Sequence, residues 1–336
     1  MSKKILVLVL VLSMGLALLA GCAQTATTAA PAATTAAGET TTAAPAEKMT
    51  VGVLIGDMSN QFHTYIMEGM KAEAEKYPNI EFVYVDGKFD PNVQMGQAEN
   101  FISQEVDAII FMPGDANAAK NLVEKVVAAN IPLIGVNTEV APEDMDKLTS
   151  YAGSETIESG RLLGEGFAKI MGGKANLIEL QGVYGHEPQI MRHEGILEAF
   201  KNYPDMKIIK EDSGEWNRDK AMQKMENIIN SDLNGKFDGV ICHNDEMAIG
   251  AMKALDAAGM LDKVKVAGID ATPDALKYMK EGKIAFTVFQ DARGQGAKAV
   301  EIANKVLSGE TVEKKYYVPY ITVMPEEADK YLAMYN

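Results

Sequence analysis

What most constrains this chain is a rhythm. From residue 50 onward, short apolar runs bounded by turn residues alternate with stretches whose apolar residues recur at helical spacing. The runs at 50–55 (TVGVLI), 81–85, 108–112 and 132–136 (PLIGV) read as buried strands, with helices predicted at 61–77, 92–104 and 116–129 between them. The second half repeats the pattern. Strands are predicted at 175–180 (ANLIEL), 206–211, 238–242 (DGVIC) and 264–268 (VKVAG), with helices near 188–201, 218–230 and 245–258. Strands that alternate with helices make parallel sheets covered on both faces, so the fold class is α/β and doubly wound. There is also a weak internal echo. The stretch 107–137 runs strand, turn, helix, strand and ends on Asn137, and 238–270 does the same and ends on Asp270. All βαβ units look alike, so the echo alone leaves open whether the chain holds two similar lobes.

The polar residues favour two lobes facing each other. In open α/β sheets, ligands bind outside the carboxyl ends of the strands. At nearly every such end this chain places a polar or aromatic residue. They are Asn60 and Phe62 (with His63 beside them), Asn137, His186, Arg192, Trp216, Asn244, Asp270 and Gln290. Several have plainer readings: Phe62 as core packing at a helix start, Arg192 as a solvated helix residue, Asp270 as the cap of a helix beginning near Thr272. His193 and His243 read as structural or exposed, and the methionines as core filler.

Catalysis finds little support. Gly56 after the first strand does not open a glycine-rich phosphate turn, no P-loop or G-x-S-x-G is present, and the His186-Glu187 pair lacks the second histidine of a helical zinc motif. Hence no cofactor and no metal site is expected. A net charge of −15 argues against nucleic acid as a partner. The two cysteines are Cys22 and Cys242, so no disulfide forms within the globule.

The start of the chain reads as an address. Lys3 and Lys4 precede an apolar run over 5–20, which is short for a membrane span. The run closes on Leu19, Ala20, Gly21 and Cys22, which resembles the lipobox of bacterial lipoproteins. That resemblance implies a signal peptide over 1–21, lipidation of Cys22 and anchoring to the outer face of the cell membrane. Residues 22–48 are nearly all Ala, Thr and Pro and read as a flexible tether.

From about Met49 onward the motifs form a set: NQF at 60–62, IPLIGVN at 131–137, ELQG at 179–182, NDEMAIGA at 244–251, GIDATPD at 268–274, and Gln290 before GAK at 296–298. In order and spacing the set resembles the sugar-specific periplasmic binding proteins of bacterial ABC importers, the ribose- and galactose-binding type, over essentially all of 49–331. The resemblance implies two doubly wound lobes joined by a three-strand hinge, 49–152 plus 291–320 and 153–290 plus 321–331. It implies capture of a monosaccharide by hinge closure, in a monomer that delivers to an importer permease. Whether a chemoreceptor also reads the closed form is left open. Binding positions carry over to Asn60, Phe62, Asn137, His186, Arg192, Trp216, Asn244, Asp270 and Gln290, with His63 at the cleft edge.

Departures from the family pattern bear on the ligand. Asn137 and Thr138 stand where ribose binders carry Asp-Arg, His63 stands where they place a second aromatic, and Pro188 stands where galactose and glucose binders place an acid. The calcium loop of some galactose binders has no counterpart. Phe62 and Trp216 suit the flat C–H faces of a pyranose, and the amides, Asp270 and Arg192 suit its hydroxyl rim. Trp216, His186 and Asn137 favour glucose or galactose. The NDEMA and TPD segments also look ribose-like and keep ribose, xylose or another pentose or furanose as the alternative. A catalytic α/β lipoprotein is the distant alternative. A sugar-repressor core shares the fold but needs a helix-turn-helix module where this chain has its tether.

Overall fold

The computed structural model describes residues 48–335; Cys22 and the predicted signal peptide and tether lie outside them, apart from Lys48. The chain alternates strands and helices in two series. The first runs β1 (Met49–Ile55), α1 (Gln61–Ala74), β2 (Ile80–Asp86), α2 (Pro91–Ser103), β3 (Ala108–Phe111), α3 (Lys120–Ala128), β4 (Leu133–Asn137), α4 (Pro142–Met145) and β5 (Ser150–Gly153). The second runs α5 (Thr156–Ile170), β6 (Lys174–Gln181), α6 (Glu187–Phe200), β7 (Asp205–Ser213), α7 (Arg218–Ile229), β8 (Gly239–Cys242), α8 (Asp245–Ala257), β9 (Lys265–Asp270), α9 (Pro273–Lys280) and β10 (Phe286–Phe289). Then follow α10 (Ala292–Leu307), β11 (Lys315–Tyr317), β12 (Ile321–Val323) and α11 (Ala328–Leu332).

These strands form two six-stranded sheets, ordered β11-β5-β4-β3-β1-β2 and β12-β10-β9-β8-β6-β7. The first five strands of each series take the same relative places, so the echo between 107–137 and 238–270 is the equivalence of β3–β4 with β8–β9. In each sheet the strand order reverses beside the first strand of its series, at β1/β3 and β6/β8. That is where open sheets leave a crevice. β3, β5 and β8 are buried throughout because helices cover both faces, and the edge strands β2 and β7 are partly exposed. Every pairing is parallel except β10 with β12. β12 enters the second sheet from the end where its other strands finish, so it must run against them.

The chain passes between the lobes three times, after β5, after β10 and between β11 and β12. A chain of side-chain hydrogen bonds ties the crossings. Asn137 Nδ2 donates to Gln295 Oε1 (2.9 Å), Gln295 Nε2 to Ser154 Oγ (2.8 Å), and Ser154 Oγ to the Val318 carbonyl (2.6 Å). A clasp also spans the lobes. Met334 and Tyr335 follow α11, whose Tyr331 is part of the second lobe's core. Arg293 of α10 donates to the Met334 carbonyl (2.7 Å) and twice to Glu68 of α1 (3.1 and 2.7 Å). Its guanidinium stands 5.3 Å from the Tyr335 ring centroid and 5.9 Å from that of Tyr65, and those two rings meet edge-on at 4.8 Å. No described helix is long and apolar enough to cross a membrane.

Candidate binding cleft

The ten residues singled out from the sequence line one cavity between the lobes, with about 650 Å³ of empty space that is partly open to solvent. The strand ends account for this convergence. Asn60 and His63 follow β1, Asn137 closes β4, His186 and Trp216 follow β6 and β7, Asn244 follows β8, Asp270 closes β9 and Gln290 follows β10. Four lining residues have left-handed backbones: Phe89 (φ 51°), Asn137 (φ 64°), Trp216 (φ 60°) and Asp270 (φ 127°). Residues other than glycine rarely adopt this conformation, and in folded proteins it concentrates at ligand-binding positions.

The structure narrows what each amide can offer. Asn60 Oδ1 caps α1, accepting from the Phe62 and His63 amides (3.0 and 3.3 Å), so its Nδ2 is the group left for a ligand. Asn244 Oδ1 caps α8 through the Met247 amide (2.9 Å), and its Nδ2 donates to the Trp216 carbonyl (3.3 Å). Asn244 therefore holds the aromatic as well as facing the cavity. Gln290 Oε1 accepts from Arg192 Nη2 (2.9 Å), which leaves the Gln290 amide N–H groups toward the cavity. Asp270 is not the cap considered from sequence; that position belongs to Thr272.

Arg192 is buried and held from two sides, its Nη1 bonding the His243 carbonyl and its Nη2 bonding Gln290. Its Nε has no hydrogen-bond partner among the described residues. Trp216 lies against Gly182, where a Cβ would sit 1.9 Å from an indole carbon, so this glycine makes room for the ring. The indole Nε1–H donates to His186 Nδ1 (3.3 Å), which leaves His186 Nε2 as its donor. The Arg192 guanidinium stands 5.7 Å from the indole ring centroid. Burial lowers the pKa of His186, and lowers that of His63 to about 4, so both rings are neutral at pH 7.

The acids behave differently. Burial pushes the Asp270 carboxyl well above the usual range, with Arg192 pulling the other way and Asp245 adding to the rise. Asp245 lies behind it, pushed up to about 7 by burial although it accepts from the Thr287 hydroxyl (2.7 Å) and the Thr272 amide (2.8 Å). Beneath the cleft, Glu179 of β6 accepts from His243 Nε2 (2.7 Å) and His193 Nδ1 (2.9 Å). Burial would raise this carboxyl, but the two histidine bonds outweigh it and hold it at about 2. Donor atoms of Glu179, His193 and Glu211 lie within 4.8 Å of one another. They are already joined in the protein's own network, since Gln181 Nε2 donates to Glu211 (3.0 Å).

Other residues that line the cavity were not among the ten, Phe89, Glu187 and Tyr320 among them. Phe89 bridges the lobes, 5.4 Å from His63 and 5.6 Å from His186 between ring centroids. It follows β2, and the same strand-end rule that found the others, applied there, would have named it.

Two facing α/β lobes with a polar, aromatic-lined cavity at their strand ends define a receptor that encloses a small ligand. The chain belongs to the periplasmic binding protein family, whose domain it matches over residues 51–311. It is 35% identical over 281 residues to a putative rhizopine-binding protein of Rhizobium meliloti, covering 82% of this chain and 90% of that one. It is 32% identical over 271 residues to a ribose import binding protein of Salmonella typhimurium, covering 81% and 89%. A solute-binding protein of Bacillus halodurans, solved with bound myo-inositol, is 42% identical with a TM-score of 0.82, covering 87% and 99%. These are solute-binding proteins of transport systems, not enzymes.

Proposed function

We propose that this protein is the substrate-binding lipoprotein of a bacterial ABC importer and that its cleft closes on one six-membered polyol ring, with myo-inositol the leading ligand. The observation that carries this reading is the convergence of Phe62, Phe89, Trp216, Arg192, Asp270 and Gln290 on one cavity. Aromatic rings cover the C–H faces of such a ring, and directed donors and acceptors meet its hydroxyls. The 42% identity to a protein solved with myo-inositol supports a cyclitol over an open or charged ligand. Glucose or galactose is the second reading, favoured by the Trp216–His186 pair beside Arg192. Ribose and other pentoses or furanoses come after it. The lobes hinge at the three crossings, and Cys22 carries the anchoring lipid.

Titration calorimetry with a panel of myo-inositol, glucose, galactose, ribose and xylose tests the ligand, read together with Trp216 fluorescence. Binding heat and a fluorescence change with a six-membered polyol are expected, strongest with myo-inositol. Silence across the panel ends the proposal, and a response to ribose alone replaces the ligand. A Cys22→Ala variant released from the membrane fraction is the expected sign of the anchor.

A further inference from the structure

Glu187 is the first residue of α6 and lies in the cavity wall between His186 and Pro188. Its Oε2 is buried and has no hydrogen-bond partner among the described residues. The groups around it come from six places: Thr156 at the start of α5, Arg192 on α6, Glu139 after β4, Lys315 on β11, and the phenols of Tyr151 on β5 and Tyr320 at the third crossing. The two nearby cations are engaged elsewhere. Arg192 bonds the His243 carbonyl and Gln290, and Lys315 bonds Glu139 and Tyr317 (both 2.9 Å). Burial pushes the Glu187 carboxyl up to about 7, against the pull of Thr156, Arg192 and Lys315.

Buried carboxyl oxygens are almost always partnered, so one left alone calls for an explanation, and this one lies on a residue of the cavity wall. We propose that Glu187 is a specificity-determining contact of the cleft, hydrogen-bonding one hydroxyl of the bound polyol from the hinge side. This rests on the reading of the cleft as a polyol site. It adds an acid that the sequence reading left out of the ligand set. With Asp270, the second lobe then meets the ligand with two carboxyls.

The test pairs variants with ligand analogues in calorimetry. Glu187→Ala and Glu187→Gln are titrated with the best polyol and with its single-deoxy analogues, and melting curves check folding. A lost hydrogen bond of this kind weakens binding by roughly 10- to 100-fold. Glu187→Ala should lose that much for the parent polyol, Glu187→Gln less, and one deoxy analogue should bind wild type and Glu187→Ala equally. Equal loss for every analogue overturns the contact, as does Glu187→Ala binding the parent like wild type. Wild type giving no heat with any polyol overturns the ligand class and this contact with it. That outcome is distinct from failure of the contact alone, in which wild type still binds.

Discussion

Glu179 does not line the cavity, yet its charge supports what does. Its carboxylate fixes the His243 ring, and the His243 carbonyl in turn receives Arg192. Its pKa is depressed to about 2 in the folded chain, so its stabilising contribution is fully present above the usual carboxylate range and is lost as pH falls toward 2. The shift corresponds to about 3 kcal/mol at neutral pH. In urea unfolding at pH 7, Glu179→Gln should be less stable than wild type by about that amount, and the gap should close as pH drops below 4.5. A gap that stays constant into acid would mean the carboxylate is not ionised in the native state. None of this was legible in the sequence, where His193 and His243 read as structural or exposed. A histidine's partner is set by the fold and not by its neighbours in the chain. The amides show the same limit. Asn60 and Asn244 were recognisable as strand-end residues, but only the fold shows that their oxygens cap α1 and α8.

At the scale of elements, α5 and α6 matter most, because α6 carries His186, Glu187 and Arg192 to the cleft. The two helices cross closely. A Cβ on Gly160 would lie 2.2 Å from the Arg192 carbonyl, and one on Gly195 2.2 Å from that of Ile157. Gly160→Ala should push α6 away, costing about 1–3 kcal/mol of stability and weakening ligand binding more than its loss of stability accounts for. A melting temperature and affinity both equal to wild type would refute this tight crossing. Most strands and helices of both series were readable because their burial writes a clear period into the sequence, but α5 and α10 were not predicted although they have 15 and 16 residues. β5, β11 and β12 were not predicted either; SYAG, KYY and ITV lack the continuous apolar run that marks the equally short β3 and β8. The predicted helix at 116–129 begins only at Lys120, because Asp115 Oδ1 accepts from the Asn117 and Ala118 amides (2.8 and 3.0 Å) and holds a turn first.

For the whole molecule, the relation between the lobes is also governed away from the ligand. The Arg293 clasp joins α1 and α10 of one lobe to the segment after α11 of the other. Partly exposed ion pairs and cation–π contacts of this kind are each worth about 0.5–1 kcal/mol. Arg293→Ala should therefore enlarge the ligand-free protein in small-angle scattering and weaken binding roughly three- to tenfold. The ranking of polyols should not change, since no cleft residue is altered. An altered ranking, or an unchanged scattering profile, would count against the clasp. On this prediction, how long a captive stays is partly decided by a guanidinium beside two phenol rings that never meets it. Substitutions there offer a way to retune dwell time, and so the rate of hand-over, while leaving the choice of cargo as it was.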